Sequence, residues 1–118
     1  MNTILTVKDH NYTLKLTIRG CVNLEKTLGT NPANVLMDLA RSEMKMPNMT
    51  NMIAIIHEAL QPMNHGISLD DTYALLDDWF AEGHDMNEYI QLVVDILQSS
   101  GLLPKEDEIK ETKKAKNA

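Results

Sequence analysis

The chain has 118 residues, 43% of them apolar but only 4% aromatic, with a net charge of −6 and one cysteine. That length suits one hydrophobic core, not two. A lone Cys21 excludes an internal disulfide, and no basic segment followed by an apolar run opens the sequence, so a reducing cytoplasm is predicted.

Charge and hydropathy narrow the partners. The longest apolar runs, such as Met52 to Ile56, are far shorter than the roughly 20 residues that span a bilayer, so no membrane partner is expected. Residues 1–45 hold six basic and four acidic side chains, and residues 105–118 hold five and four, whereas residues 46–104 hold nine acidic side chains and no Lys or Arg. Such a field repels nucleic-acid phosphate and favours a basic protein surface instead.

The predicted elements begin with a β-hairpin over residues 1–18. Leu5 and Val7 alternate, Asp9-His10-Asn11 breaks the pattern, and Tyr12, Leu14, Leu16 and Ile18 alternate with Thr13, Lys15 and Thr17. An isolated hairpin is marginal in water, so its apolar face needs helices to pack on. A short helix with Val22, Leu24 and Leu28 follows and stops at Gly29. Asn31-Pro32 then supplies an N-cap and a first-turn proline for a second helix carrying Val35, Leu36 and Leu39. Pro47 interrupts, and a third helix is expected over roughly residues 49–63.

Ser68 and Asp71 have capping-box spacing, with Gly83 as the stop of a helix over residues 69–82. Asp85 and Glu88 repeat the device for a helix over residues 86–100, closed by Gly101. The remaining "PKEDEIKETKKAKNA" is polar and reads as a flexible charged tail over residues 104–118. The expected architecture is therefore α+β and mainly helical. One globular domain over residues 1–103 has the hairpin packed on about five helices (residues 19–103) and carries the loose tail.

The stretch Asn64 to Asp85 concentrates five aspartates, a glutamate and two histidines, which raises the question of a metal. At 100° per residue, Leu69, Tyr73, Leu76 and Phe80 form a narrow arc expected to face the core, with Asp71, Asp78 and Glu82 opposite. Asp71 and Asp78 lie about 10 Å apart along the axis, too far to share one ion whose ligands sit at about 2.0 to 2.6 Å. Asp70 and Asp71 already have a structural role, because the first turn of a helix favours negative charge. His57, His65 and His84 lack His-x-x-x-His spacing, and no Cys pair supports zinc. Neither metal nor cofactor is expected.

Catalytic signatures are equally lacking. Ser42, Ser68, Ser99 and Ser100 have no nucleophile-elbow context, no glycine-rich phosphate loop exists, and Cys21 beside Val22 reads as a small core residue. The aspartates read as solvated, not as an acid–base pair in a dry pocket. The sequence predicts no enzyme.

The apolar faces are wider than one neighbour covers. Met52, Ile56, Ala59, Leu60 and Met63 make the third helix's stripe, which Ile53 and Ile55 broaden. Tyr89, Ile90, Leu92, Val93, Val94, Ile96 and Leu97 span roughly 200° of the last helix. Both patterns fit central helices of a bundle. Six of the eight methionines, however, crowd between Met37 and Met63, and methionine is over-used on surfaces that adapt to a partner. Met44, Met46, Met49, Met52 and Ile53 are therefore the candidate partner-binding surface.

Three strings, "LKLTIRGCVNLEKTLGTNPANVL", "IIHEALQPMNHGISLDDTYALLDDWFAEG" and "YIQLVVDILQSSGLL", together resemble the tail assembly chaperones of long-tailed phages and prophages of Gram-positive bacteria. The resemblance covers roughly Tyr12 to Leu103 and is sharpest at Leu24 to Pro32 and Asn64 to Asp71. It implies a non-catalytic protein of the host cytoplasm that binds the tape measure protein, recruits tail tube protein around it and is absent from the mature virion. It also implies a longer form of the same chain made by ribosomal slippage, and it leaves a homo-oligomer open. Thr112-Lys113-Lys114 is compatible with an A-rich slippery heptamer. The competing reading is an acidic adaptor or inhibitor that occupies a basic surface of a host protein by charge mimicry.

Overall fold

The computed structural model describes residues 3–34 and 49–102. Strands β1 (Thr3–Val7) and β2 (His10–Leu14) pair antiparallel, with Thr3 opposite Leu14 and Val7 opposite His10. Helices α1 (Ile18–Leu28), α2 (Met49–Leu60), α3 (Leu69–Ala81) and α4 (Met86–Ser99) follow. The class is α+β and mainly helical, with four helices among the described residues where the sequence predicts about five. The expected helix with Val35, Leu36 and Leu39 and the tail over residues 104–118 lie outside the described residues.

The hairpin turns earlier than the polar break suggests. Lys8 and Asp9 form a two-residue loop with φ of 51° and 62°, the positive-φ pair that a type I′ turn requires and that matches strand twist. Neither residue is glycine, so the turn carries strain. It is offset by docking on α3, where the Lys8 backbone N–H donates to Glu82 Oε1 at 2.6 Å and Lys8 Nζ sits 3.3 Å from Asp78 Oδ2. Strand β2 also ends before Ile18. The Lys15 N–H donates to the Ala59 carbonyl at 2.9 Å, and Thr17 becomes the N-cap of α1, accepting the Gly20 N–H at 3.1 Å. Ile18, expected on the hairpin's apolar face, is therefore the first helical residue and is 86% exposed.

Leu5, Val7, Leu14 and Leu16 point inward and are buried, each contributing about 1.5 to 3 kcal/mol of transfer free energy before entropy is counted. This is the packing without which a two-stranded ribbon would not persist. Helix α2 is the hub: it packs against α1, α3, α4 and β2, while α3 and α4 also cover β1. Met52, Ile53, Ile55, Ile56, Ala59 and Leu60 are all buried. A helix apolar on so many sides is explained by having neighbours on so many sides. It ends at Leu60, three residues before the expected limit, and Met63 is consequently exposed.

The helix ends follow local chemistry. Gly29 (φ 74°) closes α1 in the left-handed conformation, its N–H donating to the Glu25 carbonyl. Asn31 Oδ1 accepts the Ala33 N–H at 2.9 Å directly beside Pro32. Ser68 and Asp71 make a reciprocal capping box, each backbone N–H donating to the other's side chain at 3.0 Å. Helix α3 stops at Ala81, and Gly83 (φ 106°) turns the chain toward α4. Gly101 (φ 82°) follows Ser100 at the end of α4. Asp85 caps α4 by accepting the Glu88 N–H, but Glu88 does not reciprocate as expected. Its carboxylate instead lies 2.6 Å from His84 Nδ1.

Candidate protein-binding surface

Helix α3 positions the site because its buried face differs from the one its periodicity suggests. Thr72, Leu76 and Trp79 are its buried residues, an arc turned by about 60° from Leu69, Tyr73, Leu76 and Phe80. Trp79, the largest side chain of the helix, takes the inward position, with Phe80 5.2 Å and Tyr89 6.4 Å from it between ring centroids. Thr72 tolerates full burial because its hydroxyl donates to the Ser68 carbonyl at 2.9 Å. The rotation leaves Leu69 41% and Tyr73 44% exposed and Phe80 only half-buried. Of the four expected core anchors, Leu76 alone is fully buried.

Of these displaced side chains, Tyr73 and Phe80 line one wall of an apolar groove of about 220 Å³. Met49, Thr50 and Ile53 of α2 form the other wall, Tyr73, Leu76, Asp77 and Phe80 of α3 face them, and Tyr89 of α4 lies between. Tyr89 is itself buried and packs 5.5 Å from Phe80, ring centroid to centroid. Burial, and next the neighbouring Tyr73, raises the Tyr89 phenol above its ordinary range. It stays neutral under all physiological conditions and acts as apolar surface.

The residues of the methionine surface predicted from the sequence differ in their burial. Met44 and Met46 lie outside the described residues. Met49 is 50% exposed at the groove rim. Met52 is fully buried and presents no surface, because its position on α2 points into the centre of the bundle. Ile53 is also buried, yet reaches the groove wall. Tyr73 and Phe80 are the groove-lining residues that periodicity assigned to the core and that are not fully buried. The signal that would have found them was Trp79: placing the bulkiest side chain inward first rotates the helix and turns Tyr73 out.

The acidic cluster resolves into separate roles. Asp71 belongs to the capping box, and the Ser68 backbone N–H, followed by the Ser68 hydroxyl, holds its carboxyl below the usual carboxylate value. Asp78 and Glu82 receive the hairpin turn through Lys8. His84 stacks on Trp79 at 4.1 Å with rings 7° from parallel and meets Glu88. His57 Nε2 lies 3.1 Å from the Ile67 carbonyl, which also accepts a hydrogen bond from Gln61. Among the described residues, no group of three or more His, Cys, Asp or Glu side chains is arranged to hold a metal ion.

Cys21 is half-buried against the core, and burial, followed by the nearby Glu25, pushes its thiol pKa up. That is the reverse of what an activated nucleophile needs. Among the described residues no helix is long and apolar enough to cross a membrane. What the arrangement offers chemically is an apolar recess with a carboxylate on its edge.

Comparison with known proteins places the chain in a family. A family model described as phage tail assembly chaperone protein matches residues 4–111. No curated protein and no solved structure matches the chain. With most of its length inside the family match, the chain belongs to the phage tail assembly chaperone family.

Proposed function

We propose that this phage tail assembly chaperone binds the tape measure protein and recruits tail tube subunits to it during tail morphogenesis, without catalysing a reaction. The observation that carries this reading is the apolar groove in which the exposed Met49 and Tyr73 stand beside the half-buried Phe80. Apolar exposure that is contiguous and rimmed by polar residues marks interaction sites, unlike scattered single side chains, and a long helical tape measure protein presents many apolar segments before the tube encloses it. The acidic middle of the chain adds a second benefit, because like charge on loaded complexes opposes their aggregation. The setting is the host cytoplasm, with the chaperone absent from the mature virion. A longer form made by slippage near Thr112-Lys113-Lys114 would carry the same binding domain.

Co-expression tests the reading. The tape measure protein made alone should collect in the insoluble fraction, and made with this chain it should become soluble and co-purify through high-salt washes. Tape measure protein that is equally insoluble with and without the chain would overturn the proposal. Salt-sensitive capture of a nucleic-acid-binding host protein in place of tail components would point to an acidic mimic instead.

A further inference from the structure

Two features of the groove specify more about its occupant than its apolar lining does. The first is size. A recess of about 220 Å³ is below the about 300 to 1,000 Å³ of typical small-molecule sites, and it suits a bulky side chain inserted from a protein partner. Its walls are two helices, so a third helix laid between them meets ridges on both sides.

The second is charge placement. Asp77 lines the groove, and Asp70 lies seven residues earlier on the same face of α3, about 10 Å away along the axis. Tyr73 stands between them. Asp78 is engaged by Lys8 and Asp71 by Ser68, but among the described residues no ion pair or side-chain hydrogen bond engages Asp70 or Asp77. Residues 46–104 contain no Lys or Arg to neutralise either one. The groove thus has an apolar centre, Asp77 in its lining and Asp70 beyond it along α3, two carboxylates without a side-chain partner among the described residues and spaced like positions i−3 or i−4 and i+3 or i+4 of a helix around a central residue.

We infer that the groove between α2 and α3 receives a helical segment of the client in which a bulky apolar anchor is flanked, three or four residues to each side, by Lys or Arg. The anchor enters between Met49, Ile53, Tyr73 and Phe80, while the flanking cations meet Asp70 and Asp77. This rests on the chaperone reading and deepens it. Charge placement then selects among the many apolar segments of a client those that carry basic residues in register, a discrimination that apolar burial alone does not provide.

The test uses the full chain and two synthetic Ala-rich helical peptides, one containing Lys-x-x-x-Leu-x-x-x-Lys and the other the same pattern with Glu for Lys. Amide NMR should show the Lys peptide shifting Met49, Ile53, Tyr73, Asp77 and Phe80, with the Glu peptide at least about tenfold weaker. Asp70→Asn and Asp77→Asn should each weaken the Lys peptide on the order of three- to fivefold. Tyr73→Ser, at an exposed position that spares folding, should weaken it about tenfold or more. A Lys and a Glu peptide that bind alike, or shifts centred on Ile4, Glu88 and Asp95 instead, would overturn the assignment. So would the same amides shifting with protein concentration alone, which would give the groove to a second copy of the chain. If an Asp70→Lys, Asp77→Lys chain keeps the tape measure protein soluble as well as the natural one does, this inference fails while the proposed function stands.

Discussion

Helices α3 and α4 are neighbours joined by a tight turn, are nearly equal in length and both carry aromatic and aliphatic residues, yet they use them differently. Helix α4 buries Tyr89, Leu92, Val93, Ile96 and Leu97 and contributes mainly to the core. Helix α3 buries Thr72, Leu76 and Trp79 and leaves Leu69 and Tyr73 at the surface. An apolar side chain held out of the core adds little to stability, and on α3 these side chains are what the proposed binding surface draws on. The lesson is that similar amphipathic sequences divide into buried and exposed apolar faces according to which side of the helix the neighbouring elements occupy.

The sharpest way to break that contrast is to truncate one residue from each helix. Ile96→Ala should cost about 2 to 5 kcal/mol, as deletion of a fully buried aliphatic side chain does, whereas Tyr73→Ala should change stability by no more than about 0.5 kcal/mol. Urea unfolding followed by circular dichroism measures both. Equal losses would mean that Tyr73 supports the fold and that the groove is part of the core.

A smaller effect tests whether α3, with fewer buried contacts, leans more on its N-terminus. Ser68→Ala removes half of a reciprocal capping box and should cost about 1 kcal/mol. Asp71 adds a pH signature. Its folded-state pKa lies below the ordinary 3.8, so its contribution is complete above that value and disappears as pH falls through the lower, folded value. The stability difference between the natural chain and Asp71→Asn, measured by thermal unfolding from pH 6 to pH 2, should hold steady down to about pH 4 and then shrink. A difference that does not vary with pH would show that the carboxylate is not what the cap uses.

The smallest change concerns the hairpin turn docked on the acidic side of α3. Replacing Lys8-Asp9 with Asn-Gly puts at the two positive-φ positions the pair that a type I′ turn favours but removes the Lys8 ammonium from Asp78. Relief of strain should outweigh an exposed ion pair, for a net gain of about 0.5 kcal/mol. A net loss in thermal unfolding would assign the Lys8 contacts a larger share in fixing α3 than surface pairs usually have.

Much of the architecture was legible in local chemistry. Thr17 was the exception among the helix starts, since alternation carried the strand reading on to Ile18, but Gly29, Ser68, Asp71 and Asp85 act within one turn of themselves and can be read without tertiary information. Alternation likewise identified Leu5, Val7, Leu14 and Leu16, because a strand has only two faces. The groove was much less legible. Its position depends on which arc of α3 meets β1 and α2, and a helix wheel with Thr72, Tyr73, Leu76, Trp79 and Phe80 admits more than one apolar arc.

By itself the sequence determined the α+β class, the order of elements, most of the helix ends, the acidic middle and the resemblance to tail assembly chaperones, all of which reside in local periodicity, composition or short strings. Only the tertiary structure decided that Met52 is core while Met49 is rim, that Lys8 crosses from the hairpin to Asp78, and that Tyr73 faces outward between two aspartates with no side-chain partner among the described residues. The physical reason is common to all three. Exposure and charge pairing depend on what comes to lie beside a residue after the chain has folded, and in this protein those neighbours come from other elements of the chain.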